Sequence, residues 1–370
     1  MTNATKYYIW LSLALGYSTP KCKALASIYP NIADFYLGGE QEWRLSGVLN
    51  AKDISALEAV PLEKAYEVIA RCNELGISIL SLDDPNYPEK LKDIYDPPAV
   101  LYMKGRLPDF DSRLSIGVVG TRNATAYGKM TSHVLAGSLA KVGVVIISGG
   151  AVGIDSLSHT AALETDGITL CVLGCGINYP YLMSNAKLRK TIAERGAVLS
   201  EYPPDYPPGK YTFPERNRII SGLSDGVLVV EAGNKSGSLI TARTALEQNR
   251  DVFAVMGNIT SPYSQGTNAL IKDGAIPVTD YTDIISYYPQ FSIEGQPDDM
   301  VQEIPQHKTD IDVSDEAVKV YHAVTAEPVH IDTITSACGL PVNVVLQALT
   351  ELELEGLIKA EKGRMYSLIG

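Results

Sequence analysis

No apolar run in this 370-residue chain approaches the roughly 20 residues a membrane-spanning helix needs. The opening MTNATKYYIWLSLALGY has no small-residue cleavage site, so it is expected to fold as a helix and not to serve as a signal peptide. Cysteine is scarce: there are five, an odd number, with no CxxC pair. Cys171 and Cys175 flank the end of an apolar run and read as buried thiols, which suits a reducing cytoplasm. Histidine is equally sparse, and His133, His159, His307, His322 and His330 show no ligand spacing, so no metal and no cofactor are expected. Asp155 and His159 lie four apart, as an acid–base pair or a helix-internal hydrogen bond would, and no nucleophile accompanies them. Neither GxxxxGK[ST] nor GxGxxG occurs at the glycine-rich turns, which disfavours a Walker-type nucleoside triphosphatase and a dinucleotide enzyme.

The net charge of −12 argues at first against a nucleic-acid partner. Its distribution changes the reading. Residues 1–111 carry 11 cations against 15 anions, residues 112–288 carry 15 against 14, and residues 289–370 carry 5 against 14. A nearly neutral middle can present a cationic groove, whereas the C-terminal segment repels phosphate.

Residues 1–75 read as short helices forming a small module of SAM or helix-hairpin type. PLEKAYEVIARCNELG is an amphipathic helix stopped at Gly76. Ile77–Leu80 and Val100–Met103 are two short strands in a proline-rich connector. From Arg113 onward apolar strands alternate with helices, which predicts an α/β fold with a mainly parallel sheet over 76–288. Residues 289–312 lack periodicity and read as a linker. Residues 313–370 parse as helices followed by a two-stranded wing turning at Lys362-Gly363, a winged helix.

The residues that carry chemistry cluster at the expected strand ends. GTRNATAYG follows a buried strand: Gly120 permits a sharp turn, Thr121 offers a hydroxyl, and Arg122 brings a planar cation suited to phosphate. In SGGAVGIDSLSH, Ser148, Gly149 and Gly150 allow close backbone approach. YPYLMSNAKL sets Tyr179 and Tyr181 beside Asn185 and Lys187, a pattern for base stacking with phosphate contact, or simply for a packed turn. FPERNRIISGLSD offers Arg216, Asn217 and Arg218, with Glu215 able to pair with either arginine. In KSGSLITARTAL, Lys235, Ser236, Gly237 and Ser238 open a helix that carries Arg243, and helix starts favour anions. Ala269, Leu270 and Ile271 form an apolar patch that suits an interface or ordinary core packing. Glu201 and Glu231, at strand ends, keep open an alternative class, a nucleotide phosphoribohydrolase. A protein-interaction scaffold is a third reading.

Together with YPEKLKDIYDPPAVLYMKG and SQGTNALIKDGA, in order along nearly the whole chain, these blocks resemble the DNA-processing protein A (DprA, or Smf) family. The resemblance implies an extended Rossmann-like core that binds and protects single-stranded DNA and forms a homodimer. It also implies loading of the RecA recombinase during natural transformation, with no catalytic activity. Met256 in VMGN stands where the family has Pro in a VPG turn. The winged helix departs in charge, since Asn343, Val344 and Gln347 on its recognition helix bring no cation, and it reads as protein-facing.

Overall fold

Short β-branched runs bounded by glycine turns become the strands of one nine-stranded sheet. In chain order they are β1 (Ser78–Ser81), β2 (Val100–Gly105), β3 (Ser115–Val119), β4 (Val145–Ser148), β5 (Thr169–Leu173), β6 (Ala197–Ser200), β7 (Gly226–Val229), β8 (Asp251–Val255) and β9 (Ile276–Val278). The spatial order is β1-β2-β6-β5-β4-β3-β7-β8-β9. All pairs from β6 to β9 are parallel, and strand order reverses at the β3–β7 junction. Such a reversal opens a crevice at the carboxyl ends of the two strands. Parallel strands must be covered on both faces, and β3, β4 and β7 are buried throughout. Helices Ala126–Lys141 and Ile154–Glu164 pack together on one face. Thr212–Leu223 and Ser238–Glu247 pack together on the other.

The computed structural model describes residues 2–291, 314–325, 328–361 and 363–368. It divides into two units, Met1–Pro297 and Asp298–Gly370. In the first, the proline-rich connector is more than a spacer. β1 and β2 run antiparallel to each other, and β2 pairs antiparallel with β6, extending the sheet past its parallel part. Helix Thr5–Leu15 packs on both. The hydroxyls of Thr5 and Ser81 share a hydrogen bond of 2.9 Å, and the Trp10 indole donates to the Val60 carbonyl at 2.7 Å. Helix Glu63–Leu75 stops at Gly76, whose φ of 62° is the left-handed cap that glycine adopts without strain.

The second unit is built from helices Asp315–Ala323, Ile331–Cys338 and Val342–Leu354, with a small sheet of β10 (Val329–His330), β11 (Ile358–Glu361) and β12 (Met365–Leu368). Helix Ile331–Cys338 ends on Gly339 at φ 65° and meets Val342–Leu354 at 108°. Asn343 and Gln347 are exposed on that last helix, Val344 is half-buried, and Val342 and Leu346 add exposed apolar surface. The linker expected at 289–312 lies, beyond Phe291, outside the described residues, as does Lys362 of the wing turn. Among the described residues no single helix is long and apolar enough to cross a membrane.

Candidate nucleic-acid interface

At the β3 end, three close approaches fix the loop. A Cβ on Gly120 would lie 2.5 Å from Ile154, and one on Gly153 would lie 2.4 Å from the Thr121 carbonyl. Thr121 N–H donates to the Glu231 carbonyl at 2.8 Å. The Thr121 hydroxyl accepts from Asn123 N–H at 3.2 Å, so it serves the turn. Arg122 projects from this loop, exposed, with its guanidinium carbon 5.6 Å from the centre of the Phe213 ring. Stacking on an aromatic face holds an arginine while leaving its donors free.

The β4 loop is turned inward. Ser148 is fully buried and donates its hydroxyl to the Val118 carbonyl at 2.6 Å, so it has no group to offer a ligand. Gly149 and Gly150 are also buried. Beneath them runs the side chain of Arg216, so close that a Cβ on Gly149 would collide with its guanidinium. Arg216 is 5% exposed, donates to the Val172 carbonyl at 3.0 Å and faces Asp155. Burial lowers the Arg216 pKa and raises that of Asp155, each opposed by the charge of the other. Asp155 also accepts from Ala151 N–H at 3.4 Å and so lies at the start of its own helix. Arg216 therefore props the loop from below.

Arg218 is equally buried and more fully engaged. The helix starts at Thr212, well before Arg216, and both arginines lie in its body. Arg218 is 5% exposed; it donates from Nη1 and Nη2 to Glu201 at 2.9 and 2.7 Å and from Nε to Asp96 at 3.0 Å. With those donors engaged on carboxylates, it leaves the phosphate-contacting set. Glu215 is not its acid partner; Glu215 accepts from the Tyr202 hydroxyl at 2.8 Å. Asn217, between the arginines, is half-buried.

Lys187, Lys235 and Arg243 are exposed and, like Arg122, form no ion pair among the described residues. Lys187 sits on helix Ala186–Arg195. The loop before it is held by a residue that spacing did not single out: Arg189 donates to the carbonyls of Tyr181 and Leu182 at 2.7 and 3.2 Å. Leu182 takes a left-handed φ of 44° between them. Asn185 donates to the Gly150 carbonyl at 3.2 Å, locking this loop to the β4 loop. Tyr179 and Tyr181 are half-buried, and Tyr181 leans on Phe213 with centroids 5.3 Å apart. Lys235 and Ser236 precede helix Ser238–Glu247, which is capped by Gly237 and has no acid in its first turn. The Ser236 and Ser238 hydroxyls bond each other at 2.8 Å. The first turn of this helix carries no carboxylate of its own, unlike that of Ile154–Glu164.

The two acids weighed for catalysis are both engaged. Glu201 is held by Arg218, and Glu231 accepts from the Thr125 hydroxyl and amide at 2.6 and 2.9 Å. His159 is no partner for Asp155 either; its Nδ1 bonds the Thr169 hydroxyl at 2.6 Å inside the core. Burial, helped by Arg216, pushes its pKa down to about 3. A histidine normally titrates near 6.5, so on acidification the unfolded chain takes up this proton before the folded one does. Stability should fall from about pH 6.5 toward pH 3, and His159→Gln should flatten the dependence of unfolding free energy on pH there by about one proton. Urea melts at several pH values check this. Of the apolar patch, Ala269 is exposed, Leu270 packs against the main core and Ile271 is half-buried. The Met256-Gly257 turn is held by Asn268, which accepts from Gly257 N–H at 3.2 Å and donates to the Gly257 carbonyl at 3.0 Å.

A sequence profile of the family described as DNA recombination-mediator protein A matches residues 78–289, and one for the DprA winged helix domain matches 305–364. Among curated proteins, the chain is similar to DNA processing protein DprA of Bacillus subtilis, 45% identical over 62% of this chain and 78% of that one. It is also similar to protein Smf of Escherichia coli, 42% identical over 77% and 76%. Among solved structures, DprA of Streptococcus pneumoniae superposes with a TM-score of 0.66 at 32% identity, covering 80% of this chain and all of that one. DprA of Helicobacter pylori, described for its unique single-stranded DNA binding mode, gives 0.52 at 35% identity, covering 57% and 94%.

Proposed function

The chain belongs to the DNA recombination-mediator protein A (DprA/Smf) family, and from that premise we propose that it binds and protects single-stranded DNA without catalysing a reaction on it. The observation that carries this reading is a set of exposed cations with no ion pair among the described residues, Arg122, Lys187, Lys235 and Arg243, set on the loops and helices that follow the parallel strands. Successive phosphates lie along them. Tyr179 and Tyr181 border the path, and base stacking on such rings contributes roughly 1–3 kcal/mol per base. The family resemblance supports the wider role, a cytoplasmic homodimer that hands the strand to the RecA recombinase during DNA uptake. Residues 1–75 then act as a helical module, 76–288 as the DNA-binding core and 313–370 as a protein-facing winged helix.

A gel shift with labelled single-stranded oligonucleotide tests the reading. Unlabelled single strand should compete, duplex should compete weakly, and nucleoside monophosphates should be neither bound nor turned over. Equal competition by duplex would sink it. The charge distribution adds a second expectation. Deleting residues 289–370, which carry 5 cations against 14 anions, should leave single-strand affinity within about twofold, because like charges contribute no counterion release. Titration of the truncated chain by fluorescence anisotropy checks it.

A further inference from the structure

The 16-residue helix Ala126–Lys141 starts at the β3–β7 junction, and its N-terminus opens on the crevice where doubly wound sheets hold a ligand phosphate. In this protein a side chain stands there. The Glu231 carboxylate accepts from Thr125 N–H through Oε2 at 2.9 Å and from the Thr125 hydroxyl through Oε1 at 2.6 Å. Gly128 supplies the room, since a Cβ there would lie 2.3 Å from Oε2. Glu231 is 2% exposed, and its carbonyl holds Thr121 N–H, so backbone and side chain are both tied to the Gly120–Thr125 segment.

We propose that Glu231 is a built-in anion that closes the nucleotide-type crevice to free nucleotides and so confines phosphate binding to the rim cations. An incoming monophosphate or pyrophosphate would have to expel the carboxylate or lie against it, and like charges at contact distance repel strongly away from bulk water. A polymer escapes this exclusion. Its phosphates can engage Arg122 and Lys187 together, and the linked contacts reinforce each other without entering the crevice. The consequence for specificity rests on the single-strand reading above; the closure of the crevice does not.

Thermal melts of the full-length chain test the closure with no DNA present. In Glu231→Ala, millimolar formate or pyrophosphate should raise Tm by about 2 °C or more over chloride at matched ionic strength, by filling the vacated site. Glu231→Gln keeps the side-chain volume and should show no such rise. Wild type should be indifferent to millimolar AMP and pyrophosphate, and the backbone amide resonances of Thr125 and Gly128 should not move. Stabilisation of wild type by AMP, or shifts at those two amides, would overturn the proposal whether or not the alanine variant folds. So would a folded Glu231→Ala that does not distinguish formate from chloride. Because these arms contain no oligonucleotide, failure to bind DNA would refute the function and leave this question separately decided.

Discussion

Replacing Arg218 with alanine is expected to cost about 3–5 kcal/mol of folding stability, because it leaves Glu201 buried without a counter-charge. Burial alone already pushes the Glu201 carboxyl up, and Arg218 is what draws it back. Both groups are nearly inaccessible: their side chains are 6% and 2% exposed. Asp96 accepts from the same guanidinium, so the substitution also loosens the segment before β2. Denaturant unfolding should show a lowered midpoint. The double variant Arg218→Met/Glu201→Met should recover part of the loss, because apolar groups of similar size remove the two buried charges together while Asp96 still lacks the guanidinium. At temperatures where Arg218→Ala stays folded, its affinity for single strands should match wild type. A large loss of affinity per folded molecule would return Arg218 to the binding surface.

The second large effect runs the other way. The triple variant Arg122→Ala/Lys187→Ala/Lys235→Ala should melt within about 2 °C of wild type, since exposed cations free of ion pairs contribute little to folding. Its DNA binding should collapse. Each phosphate neutralised on a single strand contributes about −0.7 to the slope of log affinity against log salt, so the slope should flatten by about two units. That corresponds to a loss on the order of 100-fold near 0.1 M salt. The loss should be the same for every base sequence, because the contacts fall on the backbone. Anisotropy titrations across a salt series measure both quantities. An unchanged slope would place the strand elsewhere on the protein.

The contrast between these variants marks where sequence reasoning stops. The alternation of strands and helices from Arg113 onward, and the mainly parallel sheet it builds, were readable because continuous apolar runs between glycine turns leave few alternatives. The loops after them were readable for the same reason. What could not be read was which arginine faces water. Arg216 and Arg218 belong to one motif, yet the acids that hold Arg218 lie 17 and 122 residues away, beyond the reach of helical spacing. That both arginines lie in the body of a helix was hidden as well, because the helix begins at Thr212 and takes Pro214 into its first turn, where proline is tolerated. Arg189 went unnoticed because its task is to hold two carbonyls, and backbone acceptors leave no trace in sequence. Phe213 gave no signal either; only the fold brings it under Arg122. The connector strands were seen, but their joining of the main sheet was not, since pairing partners are set by topology.

That union has a mechanical outcome. The ladder from β6 through β2 to β1 extends the slab that carries the loops beneath helix Thr5–Leu15, and Trp10, Phe35 and Leu57 share one apolar interior with Val145 and Val229. Swinging the helical portion away would mean stripping helix Thr5–Leu15 off β1 and β2, breaking the Thr5–Ser81 bond and wetting that interior. The front fifth of the polypeptide therefore behaves as ballast rigidly fixed to the rest, and a cut in the short stretch around Gly76 should leave the two fragments clinging to each other.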